Sequence, residues 1–243
     1  MNIISAQLSK PGARRNNEDC IGSVRTEVYS CYIVADGLGG HAAGEVASKL
    51  CVDCLLSYFE TVKEIDADVI SRGLELAQEA LLKKQQSDIR LSDMRTTASV
   101  LVTNGIDLYL AYAGDSRFYR FFNNKVVFQS PDHSVPQRLY EGGLISMDEI
   151  RHHEDRNRLL RVMGSPEKFR PEILRMEKPP EIGDRYLLCT DGFWELVDEG
   201  EMEDALALCP TPRDWLTKIE RMITARLKEN SDNYSAVMIY LQP

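Results

Sequence analysis

The chain has 243 residues, 43% of them hydrophobic and 28% charged, with a formal net charge of −9. That length suffices for one large core. So acidic a surface argues against a nonspecific nucleic-acid or anionic-membrane binder, because both need basic faces.

No apolar run reaches membrane-spanning length, and Met1-Asn2-Ile3-Ile4-Ser5 lacks the basic and apolar regions of a signal peptide. A cytoplasmic protein with neither nucleic acid nor membrane as partner is expected. The cysteines, Cys20, Cys31, Cys51, Cys54, Cys189 and Cys209, mostly fall inside apolar segments. Cys51 and Cys54 form a C-x-x-C, but on a helical pattern and with no second pair to complete a zinc site, so core packing is expected rather than metal or disulfide.

In chain order, residues 2–8 and 20–35 read as strands, the second nearly continuous in apolar and β-branched residues. Between them, Gly12-Ala13-Arg14-Arg15-Asn16-Asn17-Glu18-Asp19 sets two arginines beside two acids. It reads either as a solvated turn or as acids aimed at a cation and an arginine aimed at an anion. The next apolar run stops at Asp36-Gly37, with Gly39, Gly40 and His41 following. An acid at the end of a core strand, with backbone free to approach closely, is a natural seat for a cation or phosphate. On this stretch alone an Asp-Gly turn is an equal alternative.

From Glu45, the apolar positions Ala47, Leu50, Cys51, Cys54, Leu55 and Tyr58 predict an amphipathic helix. A second follows, with Asp66 as N-cap and Ile70, Leu74, Ala77 and Leu81 on one face. Residues 97–128 then switch to strand periodicity, with Asn104-Gly105 and Asn123-Asn124 as hairpin turns and a break at Gly114-Asp115-Ser116. Consecutive hairpins mean an antiparallel sheet. Residues 130–170 are polar, with short helical pieces near 136–141 and 146–152 and the basic run Arg151, Arg156, Arg158, Arg161. Such a stretch reads equally as a surface excursion over a site or as a solvated insertion. Residues 186–192 repeat the strand, aspartate, glycine theme at Thr190-Asp191-Gly192, Thr211-Pro212 opens a helix, and Asp232-Asn233 precedes a last strand, Ser235–Leu241. With no linker, residues 1–243 are expected to form one domain.

Asp36, Asp115, Asp191 and Asp232 thus share a context, each at a junction between a core strand and a turn, and Glu18 and Asp19 add to them. Bundled carboxylates repel unless a cation offsets them. Oxygen donors without His or Cys select hard ions such as magnesium, manganese or calcium. Several acids beside one arginine suggest two or more cations and an anionic substrate, the pattern of two-metal hydrolysis in which a bridging water attacks phosphorus in line.

Arg14-x-x-x-Glu18-Asp19, Val34-Ala35-Asp36-Gly37-x-Gly39-Gly40-His41, Ala113-Gly114-Asp115-Ser116-Arg117, Thr190-Asp191-Gly192 and Asp232-Asn233 stand in the order found in the metal-dependent protein phosphatases of type 2C. From Gly12 to Asn233 the chain resembles the compact bacterial members of that family. The resemblance implies an α+β fold, a four-layer α-β-β-α sandwich with two central antiparallel sheets flanked by helix pairs. It implies a serine/threonine phosphoprotein phosphatase that uses two or three manganese or magnesium ions and acts, as a monomer, on substrates of a cognate kinase. Residue by residue, Asp36 would bridge two metals, with the Gly37 carbonyl on one. Asp191 and Asp232 would complete the first metal's shell, Glu18 and Asp19 would hold the second largely through water, and Asp115 with Asp191 would hold a third. Arg14 would clamp the phosphate, Asn233 would orient a neighbouring ligand, and residues 130–170 would correspond to the family's flap. Some eukaryotic relatives carry a histidine after the Asp-Gly as proton donor; Leu38 stands there in this chain, and His133 reads as a structural loop histidine. Two further readings use the same residues: a pseudophosphatase that binds phosphoproteins without hydrolysing them, and a partner-switching phosphatase of one phosphoserine regulator.

Overall fold

The computed structural model describes residues 1–39 and 43–243, so Gly40 and His41 of the second motif lie outside the described residues. The first hairpin is β2 (Asp19–Arg25) with β3 (Ser30–Leu38), preceded by β1 (Asn2–Lys10). The sequence predicts one strand over residues 20–35; the chain instead turns inside it. No Gly, Pro or Asn marks that turn, because Thr26 makes it with its side chain: Oγ1 accepts from the backbone N–H groups of Val28 and Tyr29. Helices α1 (Ala43–Phe59) and α2 (Ala67–Ser87) follow, the latter capped by Asp66, whose carboxylate accepts from Val69 N at 2.7 Å.

After the short β4 (Arg95–Thr96), β5 (Ala98–Thr103) pairs with β6 (Leu108–Ala113) and β7 (Arg117–Phe122) with β8 (Lys125–Gln129). The break at Gly114-Asp115-Ser116 carries the chain from one sheet to the other, so the consecutive hairpins do not share a single sheet. Asn104 closes the β5–β6 turn by accepting from Ile106 N and Asp107 N. Asn123 and Asn124 close β7–β8 at φ of 50° and 61°, the left-handed conformation that Asn tolerates. The remainder comprises α3 (Val135–Glu141), α4 (Met147–Ile150), β9 (Glu172–Arg175), β10 (Arg185–Cys189), α5 (Asp191–Trp194), α6 (Glu199–Leu208), α7 (Pro212–Arg226) and β11 (Tyr234–Gln242).

Two antiparallel sheets result, ordered β1-β11-β10-β7-β8 and β2-β3-β5-β6-β9, with β4 pairing β3 on the side. Alternate residues of each strand serve different cores. Along β3, Cys31, Ile33 and Ala35 face α1 and α2, while Tyr32 and Val34 pack between the sheets against Leu188, Val237 and Ile239. Along β11, Ala236, Met238 and Tyr240 meet Trp215, Ile219 and Ile223 of α7. This is the expected four-layer α-β-β-α sandwich. Sheets covered on both faces explain why β3 and β11 read as continuous apolar runs rather than alternating ones. Cys51 is buried in the α1 core and Cys54 is partly buried beside it, both as free thiols.

Residues 130–170 do not stand off the body. Ile150, Val162 and Met163 are buried. The far end is tied to α2 and β4: Gln85 Nε2 donates to the carbonyls of Met94 and Gly164 at 2.7 Å, Gln78 Oε1 accepts from Gly164 N at 2.6 Å, and Met163 pairs with Thr96.

Candidate active site

One cleft of about 430 Å³ opens at the strand ends where the two sheets meet. It is lined by Arg14, Arg15, Asn16, Glu18, Asp36, Gly37, Leu38, Asp115, Asn157, Leu159, Asp191, Asp232 and Asn233. Every site residue expected from the sequence lines it except Asp19, which lies buried behind the floor opposite Asp36 in the β2–β3 register.

Backbone pairing sets the acids in place. Asp36 is fixed on both sides, its N–H donating to Thr97 Oγ1 at 2.9 Å and its carbonyl accepting from Thr97 N and Thr96 Oγ1, each at 2.8 Å. Gly37 N donates to the Glu18 carbonyl at 3.0 Å. A Cβ on Gly37 would fall 2.0 Å from the Gly44 carbonyl oxygen and 2.6 Å from that of Glu18, so only glycine lets α1 approach this closely. Asn233 stitches the far segment to the arginine loop: Nδ2 donates to the carbonyls of Pro11 and Asn16 at 2.8 and 2.9 Å, and Oδ1 accepts from Glu18 N at 2.7 Å. Gly12, at φ +60°, completes that seam, its Cα lying so close to Asp232 that a Cβ would sit 2.0 Å from the carbonyl oxygen. The loop so held delivers Arg14, whose Nη2 donates to Asp232 Oδ2 at 3.0 Å.

Sequence reasoning singled out neither Thr97 nor Thr190 as a support. Thr190 Oγ1 donates to Asp19 Oδ2 at 2.9 Å and accepts from Ser235 N at 3.0 Å. Trp194, likewise unmarked, donates from Nε1 to the Asp115 carbonyl at 3.0 Å. His133 is buried outside this cleft and stacks on Tyr112 with ring centroids 4.7 Å apart. Burial, then the Arg161 guanidinium, push it down to about 4, so it stays neutral and structural.

The acids strain against one another. Burial and the neighbouring carboxylates hold Asp36 and Asp115 well above the ordinary carboxylate range. Asp19 and Asp191 are pushed up to about 7, by burial first and then by charges that include Asp191 and Asp232 on Asp19, and Glu195 and Asp232 on Asp191. Glu18 is raised by burial and by Asp232, against the pull of Arg14. As they stand, no three His, Cys, Asp or Glu side chains among the described residues are gathered tightly enough to ligate one ion. Asp232 is turned toward Arg14. The donor set nevertheless fits hard cations. Asp19 Oδ1 and Asp191 Oδ1 are buried oxygens without a hydrogen bond, which is costly unless something positive meets them.

These shifts predict a pH signature. In metal-free protein the folded carboxyls of Asp19 and Asp191 titrate near 7, against about 3.9 when unfolded. Between those values the folded state holds protons that the unfolded state lacks, so stability declines as pH rises through 7. Tm in EDTA is expected to fall from pH 6.5 to pH 8, the two carboxyls outweighing the smaller opposite trend of His133, whose unfolded imidazole, ordinarily near 6.5, loses its remaining proton in the same window. Saturating manganese, which replaces those protons, is expected to abolish or invert the slope. Parallel slopes with and without the ion would contradict the assignment.

The match to the family model of protein phosphatase 2C spans residues 10–231. The serine/threonine phosphatase stp of Listeria welshimeri is 32% identical over 233 residues, covering 93% of this chain and 90% of that protein. The crystal structure of the Mycobacterium tuberculosis serine/threonine phosphatase PstP/Ppp superposes with a TM-score of 0.88 at 27% identity, over 99% of both chains. The catalytic domain of PstP in complex with two manganese ions gives a TM-score of 0.84 at 25% identity, again over 99% of both. Motif order, four-layer fold and acidic cleft agree with these likenesses: the chain belongs to the protein phosphatase 2C family.

Proposed function

We propose that this protein is a metal-dependent serine/threonine phosphoprotein phosphatase that works with two or three manganese or magnesium ions. The observation that carries the reading is the pair of partnerless carboxylate oxygens, one on Asp191 in the cleft and one on Asp19 behind its floor, beside Asp36 and facing the cleft that Arg14 also lines. Asp36, Asp191 and Asp232, with the Gly37 carbonyl, are the residues to hold the central ions, with Glu18 and Asp19 behind them and Asp115 with Asp191 at a third position. Divalent cations bound there would offset the carboxylate charge, hold phosphate oxygens and acidify a water for attack on phosphorus.

The chain's own residues do the rest. Arg14 stands at the cleft on an exchangeable partner: its guanidinium, held by one hydrogen bond to the Asp232 carboxylate, has donors left to grip a phosphoryl group as a fork. Leu38, Leu159 and Asn157 line the opening. Among the described residues, Leu38 offers no proton and His133 is buried outside the cleft; water held in the cleft is the proton source we assign to the departing alkoxide.

Arg14→Ala is expected to raise KM for a phosphopeptide about 10- to 100-fold, the equivalent of one charge-assisted hydrogen bond lost. Arg14→Lys should recover part of it. An unchanged KM would point to Arg15, which lines the same cleft.

No helix among the described residues is long and apolar enough to cross a membrane. The reading places the enzyme in the cytoplasm, as a monomer acting on proteins phosphorylated by a cognate kinase. A chromogenic phosphate ester assayed with manganese and with EDTA tests it: hydrolysis only with the ion is expected. Tight manganese binding without hydrolysis would favour the phosphoprotein-binding alternative.

A further inference from the structure

We propose that Trp194 is a positioning residue that locks the Asp115 arm of the site to the Asp191 arm, and that α4 reaches the site through it. The proposal rests on the reading of Asp115 as a ligand for the third cation.

The turn Gly114-Asp115-Ser116 joins β6 to β7 and is buried throughout. Three of its supports come from its own surroundings. His133 N donates to the Gly114 carbonyl at 2.8 Å, Ser116 Oγ and Thr97 Oγ1 share a hydrogen bond of 2.7 Å, and Arg117 is doubly bonded to Asp132 at 2.9 and 2.8 Å. The bond to the carbonyl of Asp115 itself comes from elsewhere: Trp194 Nε1 at 3.0 Å.

Trp194 ends α5, the one-turn helix that begins at Asp191, so one rigid turn carries a site acid and also the donor that holds another acid's backbone. At i and i+3 the two share a helix face. The indole is itself fixed. It is 2% exposed, and the guanidinium carbons of Arg117 and Arg151 lie 3.5 and 5.5 Å from its ring centroid. Arg151 follows α4 directly and is pinned by bonds to Val197 O at 3.1 Å and to both oxygens of Glu199 at 2.8 and 2.9 Å. A displacement of α4 therefore bears on the ring that sets Asp115.

Groups that orient a metal ligand without touching the ion cost about 10- to 100-fold in affinity when removed. Trp194→Phe keeps the ring and loses the N–H. Calorimetric manganese titration of wild type, Trp194→Phe, Asp115→Asn and the double variant reads the effect directly. The site at Asp115 is the weakest expected, since only Asp115 and Asp191 hold it. Trp194→Phe should weaken that manganese site about 10-fold or more, leave the tighter sites and the metal-free Tm nearly unchanged, and add nothing in the Asp115→Asn background. An unchanged weakest site in a folded Trp194→Phe overturns the proposal. If Asp115→Asn alone leaves all manganese binding intact, the reading of Asp115 as a ligand has failed, and the proposal with it. Should Trp194→Phe not fold, the wild-type protein decides. One of its two indole N–H resonances should shift as magnesium fills the weakest site, and shift no longer in Asp115→Asn; two unmoved resonances refute the link.

Discussion

Asp36→Asn is expected to lower kcat/KM for a phosphothreonine peptide on the order of a thousandfold or more, because the cations it helps hold supply several kcal/mol of charge stabilisation to the transition state. The same variant is expected to be at least as stable as wild type when both are metal-free. Asp36 sits among Asp19, Asp191, Asp115 and Asp232, and burial and those charges disfavour its ionised form. A neutral amide of the same shape removes that repulsion, while the backbone bonds to Thr96 and Thr97 are untouched. Paired measurements of turnover and of Tm in EDTA separate the two effects. Lost activity together with a large fall in metal-free Tm would mean that Asp36 serves the fold rather than the ions.

Gly37→Ala is expected to damage both fold and activity. Its Cβ would meet the Gly44 carbonyl at 2.0 Å and the Glu18 carbonyl at 2.6 Å, and neither is a flexible side chain that can swing aside. Helix α1 must move away from β3 or β3 must shift at Asp36. Overpacking of this kind costs up to about 3 kcal/mol or more. For a chain of this size that is a fall in Tm of about 6–12 °C. Because the displaced backbone carries Asp36 and the Gly37 carbonyl, manganese affinity should fall as well. Thermal unfolding and manganese titration check it. A Tm within 2 °C of wild type (about half a kcal/mol on the same scale) would show that the contact relaxes freely.

Much of this molecule is legible in its sequence, and the reasons differ by element. Asn104-Gly105 and Asn123-Asn124 mark hairpins because the turn chemistry is local, and Asp66 and Thr211 mark helix starts for the same reason. The β2–β3 turn is invisible by composition, since a threonine hydroxyl does what glycine or asparagine usually does. Helix α6 is hidden among acids, although Asp198 and Glu201 form the capping box that marks its start. The pairing of the sheets face to face follows from the family resemblance rather than from periodicity, because strands buried on both faces lose their alternation.

The site divides in the same way. Asp36, Asp115, Asp191 and Asp232 stand out as acids at the ends of core segments, and the structure brings all four to one cleft with Arg14. What holds them does not stand out. Thr190 and Asp19 are 171 positions apart, and nothing in either neighbourhood announces the bond between them. Trp194 reads as one more core aromatic until its N–H is seen on the Asp115 carbonyl.

This acidic cleft is expected to hydrolyse phosphoserine and phosphothreonine only when divalent cations fill it. The most direct test is phosphate release from a phosphothreonine peptide by EDTA-stripped protein as manganese is returned, with ion binding followed by calorimetry on the same sample. No release is expected without the ion, and release should rise as two or more ions bind and saturate with them. Undiminished release in EDTA, or an inert protein with its manganese sites filled, would contradict it.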